Sequence, residues 1–148
     1  MNNIFPKWWD YTITIYNKYL DEETRVVTWY SKSIDNCFWK QTENLDNIGD
    51  GTILKTSYII CRIPQNDNFK TESTWKSLIK EGIEDYFTLQ QDDIIVLGNV
   101  SDVIDEYQPG QRSTDLLNKH QGESLIVDSY AINLMTGIDI PHYKVIGK

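Results

Sequence analysis

Alanine is almost missing from this chain: Ala131 stands alone in 148 residues. Alanine is the best helix former, so its absence argues against a bundle of long helices. Cysteine and histidine are nearly as scarce, with Cys37, Cys61, His120 and His142. No Cys or His pair sits at zinc-ligand spacing, and no metal or other cofactor is expected. The two cysteines lie in separate apolar runs and read as buried free thiols of a reducing compartment. No apolar run approaches the ~20 residues that span a bilayer. The first seven residues, Met-Asn-Asn-Ile-Phe-Pro-Lys, lack the apolar centre of a signal peptide. A membrane or secreted location is therefore not expected. Arginine is rare, with three residues, and no Lys/Arg-rich stretch exists to grip nucleic acid.

Against these gaps stand 19 Ile, 7 Val and 12 Thr, with 9 Tyr and 5 Trp. β-Branched and aromatic side chains suit pleated sheets. The length fits one domain able to bury its own core. The expectation is a single mainly-β domain over residues 1–148, a partly open β-barrel or sandwich of seven or eight antiparallel strands with two or three short helices. The formal charge is -8. Residues 1–75 hold 8 basic and 10 acidic side chains, and residues 76–148 hold 6 and 12, so the excess is C-terminal.

Strict alternation over residues 10–16 marks a first strand. Residues 17–23 are polar and turn the chain into a second strand at 24–31. A third covers Ile34 to Lys40. Gln41 to Thr52 is rich in amides, acids and glycine and reads as a long loop. A fourth strand, Ile53 to Ile63, is stopped by Pro64. Residues 74–80 suit a short helix around Trp75, ended by Gly82. Strands follow at 85–90 and 92–97. Val100 to Tyr107 has apolar residues at helical spacing. Ser113-Thr114-Asp115 opens a short helix to His120. Residues 123–133 and 138–146 are the last strands, joined by a Met135-Thr136-Gly137 turn.

Catalytic chemistry finds little material. No Gly-x-Ser-x-Gly elbow and no glycine-rich phosphate loop occurs. Asp92/Asp93 and Asp105/Glu106, with His142, are the carboxylates and base a small hydrolase would need. Adjacent acids point to opposite faces of a strand and read as solvated. No catalytic residue is assigned, and the chain is not expected to be an enzyme. The aromatic pairs Trp8-Trp9, Trp29-Tyr30 and Phe38-Trp39 are candidates for contacts, since exposed rings stack on sugars or anchor interfaces. Trp8, Trp9, Trp29, Tyr30 and Trp39 are the interface candidates. They also leave open a small carbohydrate- or peptide-binding β-domain.

The alternating Tyr-Thr-Ile-Thr-Ile-Tyr, Val-Val-Thr-Trp-Tyr at 26–30, Asn-Cys-Phe-Trp at 36–39, Ile-Cys-Arg-Ile-Pro at 60–64, Gln-Asp-Asp-Ile-Ile-Val-Leu-Gly at 91–98 and Pro-His-Tyr-Lys-Val-Ile-Gly at 141–147 together resemble the neck proteins of tailed bacteriophages, of the head-closure (stopper or head–tail connector) type. The resemblance implies a virion structural protein, made in the host cytoplasm. Copies would form a homo-oligomeric ring of twelve between the portal–adaptor complex and the tail terminator or tail tube. Packaged DNA would pass through without specific binding. It also implies a loop reaching into the channel, for which Asn44, Asp46, Asn47, Gly49, Asp50 and Gly51 are the candidates. A tail-terminator or other connector subunit is the alternative role.

Overall fold

The computed structural model describes residues 8–47, 49–78, 83–134 and 140–148, with residues 44 and 46 described by their backbone. The fold is mainly β. Among the described residues, six antiparallel strands occupy Tyr11–Leu20 (β1), Val27–Asn47 (β2), Ile53–Pro64 (β3), Ile94–Leu97 (β4), Ser124–Asn133 (β5) and His142–Gly147 (β6). Helices cover Glu72–Ser77 (α1) and Ser113–Lys119 (α2), with one 3₁₀ turn at Ile83–Asp85. The pairing order is β1-β2-β3-β6-β5-β4, and β4 pairs back onto β1, so the circuit of hydrogen bonding closes.

β1 sits between two apolar layers. Ile13 and Ile15 face a core shared with Cys37, Cys61, Ile63, Leu89, Ile95, Leu125 and Val145. Tyr16, on the opposite face, joins Ile94, Val96, Ile104 and Leu116 in a second cluster. The segment from Gly98 to α2 covers that outer face. It is tied down at two points: the Thr14 hydroxyl accepts from the Val100 amide at 2.9 Å, and the Tyr16 hydroxyl donates to the Asp102 carbonyl at 2.7 Å. Burial, and secondarily the Asp102 charge, push the Tyr16 phenol up to about 12.

Among the described residues the strand count is six rather than seven or eight, for identifiable reasons. The expected second and third strands are one 21-residue strand, β2. Between them the register against β1 slips, from Ile13↔Ile34 to Tyr11↔Cys37. The extra residue is absorbed around Asn36, whose φ is +60. Asn tolerates this left-handed conformation, and a bulge of this kind bends a strand without ending it. Residues 86–90 form no strand either; they run extended, and Phe87 makes only an isolated bridge to Phe69. Val100 to Tyr107 is not a helix. Its backbone groups are spent on partners elsewhere, including the Asp105 amide, which donates to the Gln111 carbonyl. β1 continues through Asn17 to Leu20, where a turn was expected. The helix residue Ile79, its stop Gly82 and the Met135-Thr136-Gly137 turn lie outside the described residues.

β6 packs closely on β5 at one glycine. A Cβ added at Gly147 would lie 2.2 Å from the Ile126 carbonyl oxygen and 2.9 Å from Leu125 Cδ1. The Gly147→Ala chain is expected to lose about 2 kcal/mol of stability, read as a lower urea midpoint, because overpacking here displaces backbone. An unchanged midpoint would contradict this close approach.

Candidate functional site: the β2–β3 arm

The hairpin of β2 and β3 is longer than the sheet that holds it. β6 pairs with β3 only from Pro64 to Ile59, and β1 pairs with β2 no further than Cys37. Beyond these limits β2 and β3 pair with each other alone, from Thr42↔Tyr58 to Asn47↔Ile53. Six rungs at about 3.3 Å give a two-stranded arm of about 20 Å. The expected loop of residues 41–52 is therefore corrected. Gln41 to Asn47 are strand, and only a tight tip remains.

The tip follows from its residues. The Asn47 side chain accepts from the Gly49 amide at 3.0 Å, and the Asp50 carboxylate accepts from the Thr52 amide at 2.9 Å. Hydrogen bonding from the Thr52 side chain and amide holds the Asp50 carboxyl below its ordinary range. Gly49 and Gly51 have φ of +99° and +87°, a region glycine enters without strain. Of the six channel-loop candidates, Asn44, Asp46 and Asn47 thus belong to the arm's strand, and Gly49, Asp50 and Gly51 to its tip.

Along the arm Leu45, Ile53 and Leu54 are 67%, 64% and 49% exposed, which is unusual for apolar side chains on a strand. Leu45 and Ile53 share a face with the Lys55–Glu43 ion pair, 3.1 Å long and solvent-exposed. An exposed pair of this kind contributes little. Three acids (Glu43, Asp46, Asp50) against one lysine (Lys55) leave residues 41–58 net negative. An isolated two-stranded ribbon is marginal in water. The arm thus presents apolar side chains on a ribbon that no third described strand covers.

The aromatic candidates are not gathered into one platform. Trp8 is exposed, whereas Trp9 is buried, 5.6 Å edge-on from His142 and 6.3 Å from Phe38. Trp29 packs against the outer cluster beneath Lys18, Tyr30 meets the buried Trp75 edge-on, and Trp39 leans on the main core. Four of the five thus serve packing. Both thiols are buried, and burial raises their pKa, which keeps them protonated and unreactive.

The carboxylates of the hydrolase reading are also apart. Glu106 accepts from the Ser113 amide, Asp105 from the Tyr107 amide, and the His142 ring lies between the Ile140 carbonyl and Asn133. Among the described residues no three His, Cys, Asp or Glu side chains group as metal ligands.

Asp93 departs from the sequence expectation in its burial. It was expected to be solvated, and it is fully buried. Its Oδ2 accepts from Asn17 Nδ2 at 2.7 Å, its Oδ1 from the Lys18 amide at 3.0 Å, and both from Gln90 Nε2 at 3.2 Å. Asn17 also clasps the Thr88 backbone, donating to its carbonyl at 2.7 Å and accepting from its amide at 3.1 Å. The available signal was a polar Asn continuing an alternating apolar strand.

A protein-family model described as a family of unknown function (DUF6751) matches residues 9–148. The chain belongs to this family. The match takes in all six strands of this DUF6751 fold, the arm included. No curated protein and no solved structure matches the chain.

The packing assignments separate two neighbouring tryptophans. Trp9→Ala is expected to cost about 3 kcal/mol of unfolding free energy, and Trp8→Ala no more than about 0.5. Urea titration of both variants checks this; equal losses would contradict the placement.

Proposed function

We propose that this DUF6751 chain is a structural subunit of a phage neck, of the head-closure or head–tail connector type, that works as a ring between the portal–adaptor complex and the tail. The observation that carries the reading is the arm: a paired ribbon, apolar on exposed positions and net negative, that extends past the strands holding it. In this reading the six-stranded body is a barrel-like wall segment of a twelve-membered ring. The arm reaches the channel or the neighbouring copy, with the Gly49-Asp50-Gly51 tip at its far end.

Charge supports the same reading. A -8 chain repels DNA rather than gripping it, as a conduit requires. Open strand edges on the arm can add to a neighbour's sheet through main-chain hydrogen bonds. The role needs no chemistry and no cofactor.

The test is to shorten the arm without touching the body. Replacing residues 44–56 by Asn-Gly joins Glu43 to Ser57, which already face each other across the hairpin. The shortened chain is expected to fold with stability within about 1 kcal/mol of the parent, since the removed residues lie outside both cores. Particles assembled with it are expected to lose packaged DNA or fail to join tails. Particles that keep their genome and carry tails normally would overturn the reading.

A further inference from the structure

The two parts of the sheet differ on their outer faces. The segment from Gly98 to α2 covers β1 and β4, whereas the outer face of β2, β3 and β6 joins neither apolar cluster. Side chains alternate along a strand, so with Cys61 and Val145 in the main core their neighbours Ile60, Arg62, Lys144 and Ile146 lie on the outer face. Cross-strand pairing sets two rows there: Phe38, Arg62 and Lys144 in one, and Lys40, Ile60 and Ile146 in the other. Lys40 is exposed and the other five are half-buried. The rows hold three cations and no acid, in a chain of charge -8. Among the described residues none of the three forms an ion pair, and Arg62 lies over the Phe38 ring at 4.8 Å. Apolar side chains interleaved with cations suit a partner that is itself apolar and anionic. The arm has that chemistry. It offers exposed Leu45, Ile53 and Leu54, with an excess of Glu43, Asp46 and Asp50 over Lys55. Arm and rows lie on the same two extended strands, so a chain cannot lay its arm on its own rows. A second copy can.

We propose that the acidic arm of one copy docks on the cationic outer face of β2, β3 and β6 of a second copy.

The contact is heterologous: one copy gives its arm and the other its sheet face, which leaves the first copy's face and the second copy's arm free. Such contacts repeat from copy to copy and close into a ring where the rotation allows. The inference rests on the preceding reading of the arm as the contact element and names the surface on which it lands. Opposite charges exposed at the edge of the contact make it sensitive to salt.

Sedimentation equilibrium of the full chain, at millimolar concentration and low salt, tests the contact. The parent chain is expected to self-associate. Lys40→Glu with Lys144→Glu makes the rows anionic, leaves the Arg62–Phe38 stack in place and is expected to weaken association about tenfold. Asp46→Lys with Asp50→Asn is expected to weaken it to a similar extent, with the asparagine still able to accept from the Thr52 amide. An equimolar mixture of the two variants is expected to associate again, because each keeps the half that the other has lost, and this recovery also shows that both are folded. A parent chain that stays monomeric, variants that associate like the parent, or a mixture no stronger than its components would overturn the contact. The neck role fails separately, on particles: a monomeric parent chain together with tail loss by the shortened arm would mean that the arm meets a different protein.

Discussion

Six strands can pair in a closed order only if the long ones leave one neighbour and turn to the next, and here β2 does so at Asn36. Up to Cys37, one residue past the bulge, β2 pairs with β1; from Phe38 on it pairs with β3. The bend lets a single 21-residue strand serve two parts of the circuit. It also directs the far end of β2, with β3 as its only partner among the described residues, past the sheet. The closed core and the projecting arm thus have one origin, a left-handed asparagine that a β-branched residue could not replace without strain.

Two burial regimes follow along the chain. β1 and β4 are covered on both faces, by the main core and by the segment from Gly98 to α2. Polar groups there must find fixed partners, and Thr14, Tyr16 and Asn17 each hold a distant stretch of backbone. The arm is the opposite case, solvated on both faces and lacking any core contact. The described core contacts are dense at β1, and the arm carries three of the exposed large apolar side chains, Leu45, Ile53 and Leu54.

The difference explains what was legible in the sequence. The alternation of Tyr11 to Tyr16 and the apolar run of Tyr58 to Ile63 marked strands because burial shapes their composition. Gln41 to Asn47 was unreadable as a strand because cross-strand pairing, not burial, keeps it extended, and its residues are those of a loop. Val100 to Tyr107 misled for the converse reason: its apolar spacing fits a helix, but only Ile104, with Val100 packed at the edge, turns into the outer cluster while Val103 and Tyr107 stay exposed. Asp93 could not be read as buried, since its partners Asn17 and Lys18 lie some 75 residues away. The channel-loop candidates fall on the arm, as strand and tip rather than an open loop, and of the aromatic contact candidates all but Trp8 pack against the body.

We propose that the arm is the surface that meets the rest of an assembly. Amide hydrogen exchange over residues 42–47 and 53–58, compared between the free chain and the chain in assembled particles, tests it most directly. The account predicts fast exchange at the outward-facing amides of the free arm and strong protection after assembly. Equal exchange in both states, with protection appearing elsewhere on the surface, would contradict it.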